Sequence, residues 1–347
     1  MNTERPVRVG IAGLGRTGWH NHAGAITRLP GMFTVAAACD PMEQRRKEAQ
    51  DAFGCATYPD IEGMLADPNV ELAVIGTPSH LHPSQTIQAL KAGKDVLVDK
   101  PMAFTTEQAD RMIETAEKCG RKLTVFHNFT LTSHVQKVVS VINSGILGRI
   151  VLVRMTVHGF NRRWDWQTVR KMGGGAIPNA ASHLVHMALQ FFGPSTPKVF
   201  CVADRTWGIG DAEDHVKIIL TGVDAPVVDI EITSTCAYPQ DYWLVMGTRG
   251  GLHGTTTELY WKVADLSALP KRSAETVPPE GRKYYSERIV WKPEESWKGT
   301  YDHGEANVAY YTRLYNFLRH DGVPPATLRD ARTVVAVIEE CYRQIGF

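Results

Sequence analysis

The hexapeptide Gly13-Leu14-Gly15-Arg16-Thr17-Gly18 constrains this chain more than any other stretch, because of what flanks it. A short apolar strand, VRVGIAG, runs into it, and RTGWHNHAGAITRL leaves it with the length of a helix. Glycines at that spacing, after a strand and opening a helix, suit a dinucleotide phosphate. Gly13 permits the tight turn, Gly15 lets backbone approach a pyrophosphate, and Gly18 lets helix and strand pack closely. The helix N-terminus offers free N–H groups to phosphate oxygens. Leu14, Arg16 and Thr17 complete the expected cofactor loop. Asp40 closes the second strand, FTVAAACD, 22 residues beyond Gly18. An acid there can hydrogen-bond a ribose 2′-hydroxyl and should repel a 2′-phosphate, so NAD is expected and NADP disfavoured. Arg45 and Arg46 follow closely and pull the other way. The competing reading is a plain turn, with Asp40 capping the next helix.

The frame repeats. Strands FTVAAACD, ELAVIG, DVLVDK and KLTVFH alternate with helical segments over the first third of the chain. That alternation predicts a doubly wound parallel sheet, an α/β Rossmann domain over residues 1–128. Ligands of such sheets bind beyond the carboxyl ends of the strands. Three of those ends carry unusual chemistry: GTPSHLH after Ile75, DKP after Val98 and HN after Phe126. Thr77, Pro78, His82, Asp99, Lys100 and Asn128 are therefore expected on the cofactor, with Lys100 and Asn128 also reaching substrate. A lysine at the mouth of a buried strand demands compensation, because its charge is costly to bury.

From residue 129 the pattern changes. GRIVLVRMTVHG, HVKIILTG, PVVDIEITST, YWLVMGTRGG, LYWKVADL and YYSERIVW read as strands of a large, mainly antiparallel open sheet. Two helical segments close the chain, so residues 129–347 are expected to form an α+β substrate-binding and oligomerisation domain. SALPKRSAETVPPEGRKYYSE reads as a surface loop. After Gly173-Gly174-Gly175, NAASHLVHMALQFF reads as a helix with Asn179, His183 and His186 on one face. An exposed histidine there could transfer protons near neutral pH. The same histidines could be satisfied helix residues or metal ligands, but no third ligand at zinc spacing and no HExxH is present, so no metal is expected. Arg163 and Trp166, beside Arg162, Trp164 and Asp165, could line a substrate pocket.

The formal net charge is +1, which excludes a strongly basic footprint for nucleic acid or anionic membrane. No apolar run approaches a membrane span. MNTERPVRVGIAG shows no signal-peptide apolar region, and the six cysteines are scattered without a CxxC pair, so a reduced, cytoplasmic protein is expected.

Taken in order and spacing, GIAGLGRTGWH, CDPMEQR, GTPSHLH, DKPMAFT and GGGAIPNAASHLVH resemble the glucose–fructose oxidoreductase / inositol dehydrogenase (Gfo/Idh/MocA) family. The resemblance implies a two-domain enzyme acting on sugars, polyols or sugar acids, assembled as a homodimer or homotetramer. It implies a catalytic or substrate-orienting role for Lys100, in Asp-Lys-Pro where the family has Glu-Lys-Pro. It also implies that His183 keeps the family histidine, while Asn179 and His186 replace two acids. Asn179 can hydrogen-bond a hydroxyl but cannot take its proton, which shifts proton transfer towards His183 or Lys100. The leading expectation is NAD-dependent hydride transfer from a secondary alcohol, with Lys100, His183 and Asn179 as catalytic residues. An enzyme that keeps and internally recycles its NAD, and a non-catalytic NAD-binding sensor, are the alternatives.

Overall fold

The computed structural model describes residues 5–193, 195–277, 281 and 284–346. Met1 to Glu4 of the expected N-terminal lead, and Pro278 to Glu280, Arg282 and Lys283 of the expected surface loop, lie outside the described residues.

Strands β1 (Val7–Ala12), β2 (Phe33–Cys39), β3 (Ala56–Tyr58), β4 (Leu72–Ile75), β5 (Asp95–Val98) and β6 (Leu123–Val125) form one sheet ordered β3-β2-β1-β4-β5-β6. All its pairings are parallel. The chain order turns back at β1, which creates a switch point and a crevice above the strand ends. Periodicity misses β3 because three residues are too few to show any. The connecting helices begin and end on recognisable signals. α5 (Thr106–Cys119) starts where the Thr105 side chain accepts the Gln108 N–H and stops at Gly120 in the left-handed region.

The second sheet contains β7 (Ile150–His158), β8 (Lys198–Asp204), β9 (His215–Thr221), β10 (Val227–Thr233), β11 (Trp243–Gly247), β12 (Gly250–Gly254), β13 (Glu258–Val263) and β14 (Glu295–Lys298). Its order is β14-β13-β12-β11-β7-β10-β9-β8. β7 and β10 run parallel; the other neighbours are antiparallel. One face packs on α6 (Ser133–Asn143), α7 (Ser182–Leu189) and α9 (Leu328–Ile345). On β9, Val216, Ile218 and Leu220 point into that core and alternate with half-buried neighbours.

Two strand expectations need revision, and one strand went unforeseen. YWLVMGTRGG is the β11–β12 hairpin, not one strand. YYSERIVW is not a strand: within it only Trp291 bridges Ala264, and the partner of β13 is Glu295–Lys298. Aromatic and β-branched content suggested a strand there, but the exposed Tyr284 and Tyr285 have no sheet to cover. β8 escapes patterning because Phe200 and Val202 are exposed while Val199, Cys201 and Ala203 face the helices, so apolar residues lie on both faces.

The expected division at residues 128/129 is crossed by the C-terminal helices. α8 (His303–His320) returns to the first sheet, where Tyr310, Tyr311, Leu314 and Tyr315 share a core with Val9, Ile11 and Phe33. The Tyr310 hydroxyl donates to the Val125 carbonyl at 2.6 Å. α9 gives Val335 to the first unit's core and Val334, Val337 and Ile338 to the second's. Both helices thus fix the second unit against the mouth of the crevice. Among the described residues, no helix is long and apolar enough to cross a membrane.

Candidate active site

A cleft of about 1370 Å³ opens over the carboxyl ends of the first sheet and runs under the second unit. At its outer end the glycine loop divides its tasks. Gly13 has φ +88°, and a Cβ there would lie 2.8 Å from the Gly76 carbonyl oxygen. A Cβ on Gly18 would collide with the Gly13 carbonyl, so this glycine sits behind the loop and does not line the cleft. A Cβ on Gly15 would meet nothing within 4 Å; its open side belongs to the cleft, along with Arg16 and Thr17. Leu14 likewise departs from the expected cofactor contact. Its side chain is buried beside Val9 and Ile11, and its N–H donates to Asp40 Oδ2 at 2.9 Å.

Asp40 stands where both of the roles weighed for it would place it. It lines the cleft, and its Oδ1 accepts the Met42 N–H at 2.9 Å just before α2 (Glu43–Phe53). Arg45 Nη1 approaches Oδ2 at 3.3 Å, so the carboxylate is tied to the glycine loop, the helix start and a cation together. Arg46 donates instead to the Asp40 and Pro41 carbonyls. Thr77 Oγ1 donates to Gln85 Oε1 at 2.5 Å, and Thr77 and Pro78 line the cleft. His82 is buried, with ring nitrogens 2.8 and 2.9 Å from the Pro101 and Thr77 carbonyls. It braces two strand-end loops against each other. Glycine cradle, open backbone and fixed acid together fit a dinucleotide.

At the inner end, Lys100 leaves β5 half-buried. Its backbone N–H donates to Asp99 Oδ1 at 2.8 Å, and Asp99 is buried beneath it. Its Nζ donates to the carbonyl oxygen of Asn179 at 2.9 Å and to Asn179 Oδ1 at 3.1 Å. Burial pulls the ammonium down to about 8, Asp99 opposes that shift, and Arg16 and Arg163 add to it. Gln167 Nε2 reaches the same Asn179 oxygen at 3.4 Å. Asn179 lies in the wide helical turn Ile177–Ala181 that leads into α7, and the helix face carrying it and His183 is largely buried rather than exposed.

His183 stacks on Phe129, with ring centroids 3.7 Å apart and planes at 8°. Its Nδ1 is buried without a hydrogen-bond partner. Burial, with Lys100 next in weight, holds this imidazole well below its ordinary range, so it is neutral at pH 7. His186 lies deeper, stacked on His127 at 4.2 Å, and does not line the cleft. Arg163 and Trp166 do line it, whereas Trp164 is exposed and does not. Asn128 lines it too, donating from Nδ2 to Asn307 Oδ1 at 2.6 Å.

Sequence reasoning missed Gln167, Phe129, Tyr242, Tyr301 and His303, which all line the same cleft. None sits in a motif; they converge from a loop, a short turn, a sheet strand's approach and the start of α8. Among the described residues no cluster of three or more His, Cys, Asp or Glu could hold a metal.

This combination of switch-point crevice, glycine cradle and strand-end lysine defines a Rossmann-domain oxidoreductase. Residues 7–127 match the model "Oxidoreductase family, NAD-binding Rossmann fold" and residues 135–253 match "GFO/IDH/MocA C-terminal domain". The chain belongs to the Gfo/Idh/MocA oxidoreductase family. It is 27% identical over 345 residues to the uncharacterized oxidoreductase YdgJ of Escherichia coli, covering 96% of this chain and 94% of that protein. It is 25% identical over 189 residues to the scyllo-inositol 2-dehydrogenase (NADP(+)) IolW of Bacillus subtilis, covering 54% and 52%. The WlbA dehydrogenase of Bordetella pertussis, solved with NADH and UDP-GlcNAcA, has a TM-score of 0.76 at 26% identity, covering 98% of this chain and 96% of that one.

Proposed function

We propose that the protein oxidises a secondary alcohol of a sugar, polyol or sugar acid, with NAD preferred over NADP. The observation that carries this reading is the inner end of the cleft. There a strand-end amine, pulled down to about 8, is aimed by Asn179 beside a neutral histidine that lines the same cleft. The inositol dehydrogenase and the UDP-GlcNAcA complex among its relatives support the substrate class.

Gly13, Gly15, Arg16, Thr17, Asp40 and Thr77 would hold the dinucleotide, which when bound supplies the hydride acceptor. The chain's own residues manage the proton. Lys100, in its neutral amine form, accepts the hydroxyl proton. Asn179 cannot accept a proton; its two oxygens hold Nζ in place. His183 stays neutral and hydrogen-bonds the same hydroxyl through the part of its ring that lines the cleft, fixing its direction. A positioned base gives about 10²–10⁴-fold in rate, and stabilising the developing charge in a closed site adds to it. The assembly belongs to the proposal as well: Phe200, Val202, Val227 and Met246 are exposed on the second sheet, which suits a cytoplasmic homodimer or homotetramer.

The test is reduction of NAD, and separately NADP, by the purified protein across sugars, polyols and aldonic acids, read as nicotinamide absorbance. Turnover with NAD is expected; silence across the panel overturns the reading.

A further inference from the structure

We propose that Glu213, which stands outside the cleft, is a positioning residue for the reaction: its carboxyl fixes the head of the helical turn whose Asn179 aims Lys100. The proposal rests on the reading above, in which Lys100 takes the proton.

Glu213 is conspicuous for where it is kept. It is 2% exposed and does not line the cleft. Burial pushes its carboxyl up, while the Ile177 N–H and Arg170 oppose that shift. Around it stand Arg170 and Asp214, with Cys201 on β8 and Cys341 and Tyr342 on α9. Its Oε2 is buried without a hydrogen bond among the described residues. An acid is costly in such a place unless its other oxygen does what no apolar residue can.

That oxygen and the residue's own carbonyl hold two successive backbone groups. The Glu213 carbonyl accepts the Ala176 N–H at 3.0 Å, and Oε1 accepts the Ile177 N–H at 3.0 Å. Ile177 opens the wide turn Ile177–Ala181, which runs straight into α7. The first N–H groups of a helix have no partner within it, and a carboxyl oxygen there satisfies one of them. The chain makes room for this acid at Gly175. That glycine has φ +123°, and a Cβ on it would collide with the Glu213 carboxyl. The last member of Gly173-Gly174-Gly175 thus answers to an acid brought in from the loop before β9.

What is fixed there is the backbone that aims the lysine. The Asn179 N–H donates to the Gly175 carbonyl at 3.3 Å. Lys100 Nζ donates to the Asn179 backbone carbonyl at 2.9 Å as well as to Oδ1 at 3.1 Å. A side-chain oxygen can be recovered by a change of rotamer, but the carbonyl moves only with the turn. Gln167 closes the other side: its carbonyl accepts the Gly175 N–H at 2.9 Å, and its Nε2 reaches Asn179 Oδ1. Displacing the two Asn179 oxygens withdraws acceptors that favour the ammonium. Asp99 then opposes burial, Arg16 and Arg163 without their help. His82, His127 and His183, which also face the amine, are held neutral by their own burial.

The experiment compares Glu213→Gln, which keeps an acceptor for the Ile177 N–H, with Glu213→Met, which has similar volume and none. The first readout needs no substrate. Trace acetylation of Lys100 by acetic anhydride across pH, quantified by peptide mass spectrometry, gives the midpoint of the amine in the full chain. The second readout is kcat and KM for alcohol oxidation with NAD. Circular dichroism establishes that each variant is folded. The wild-type midpoint is expected at about 8, and Glu213→Gln should match it. Glu213→Met should lower the midpoint by at least about half a unit. Its kcat should fall by about 10- to 100-fold with KM changed no more than a few-fold, the scale of a base misplaced by about 1 Å. A folded Glu213→Met whose midpoint stays or rises, or whose kcat stays, overturns the proposal. So does a Glu213→Gln that shifts as far as Glu213→Met, because charge rather than the acceptor would then be acting. Failure of Glu213→Met to fold also overturns it and leaves Glu213 a folding residue. A lowered midpoint in folded Glu213→Met, with no alcohol turned over by any of the three proteins, upholds the positioning and overturns the dehydrogenase reading.

Discussion

The two ends of the cleft are built in opposite ways. The outer end is made by near neighbours in sequence: a turn between β1 and the following helix, and an acid between β2 and α2. Its requirements are steric and backbone-level, such as a positive φ at Gly13 and no Cβ at Gly18. The inner end draws Lys100 from β5, Phe129 from the turn after β6, Arg163 from a loop, Asn179 and His183 from one helix, and His303 from the start of another. Its requirements concern charge and partners that only the finished fold supplies. In the proposed function, one end would hold whatever carries the phosphates and the other would decide which molecule reacts.

That contrast predicts separable effects, the largest at the lysine. Lys100→Met should lower kcat by about 10²–10⁴-fold and change NAD affinity no more than a few-fold. If affinity and turnover fall together, the two ends are one unit and the contrast fails. The proton role carries a sign. Alcohol oxidation needs the free amine, so its rate should rise with pH through about 8, where burial has pulled the group. Ketone reduction needs the ammonium and should fall over the same range. Lys100→Arg should remove both limbs, because a guanidinium does not deprotonate there. The check is the pH profile of kcat in each direction.

The mirror-image variant is Gly18→Ala. Its Cβ must displace the Gly13 carbonyl, which is backbone and cannot rotate away. Overpacking of this kind costs about 1–3 kcal/mol, and the shift lands on the loop expected to face the phosphates. NAD affinity should fall at least tenfold, with Tm lowered, while the protonation profile of any residual turnover keeps its midpoint. Calorimetry and a thermal scan make the comparison.

The same contrast explains what the sequence made legible. Glycine spacing after a strand reveals the outer end because each glycine answers a local conformational demand. The strand-end lysine stood out because a cation at the mouth of an apolar strand violates the usual economy of burial. The helix bearing Asn179 and His183 was visible from its period, but not its burial, which depends on the sheet and α9 packed against it. Phe129, Gln167, Tyr242, Tyr301 and His303 carried no signal, since an aromatic residue or an amide looks the same in a wall as on a surface. The exchange at the C-terminus was equally hidden. The tyrosines of α8 read as ordinary amphipathic content, and nothing local says they belong to a sheet begun some 300 residues earlier. Leu14 shows the converse error, where a motif correctly placed a loop but not every side chain within it.

The smallest expected effect sharpens the boundary between fastening and recognition at the outer end. Asp40 holds two backbone N–H groups and Arg45 with two oxygens. Asp40→Asn keeps the shape but loses the charge and one acceptor. If the acid only fastens the loop, NAD and NADP should weaken by the same factor. If it also faces the ribose, removing the negative charge and releasing Arg45 should favour a 2′-phosphate. The expected outcome is unequal: NAD affinity falls about tenfold, the scale of one charge-assisted hydrogen bond, while NADP affinity holds or rises. Titration of both dinucleotides against both proteins measures that ratio. A ratio left unchanged would make Asp40 a purely structural clip and would move cofactor choice onto Arg45 and Arg46.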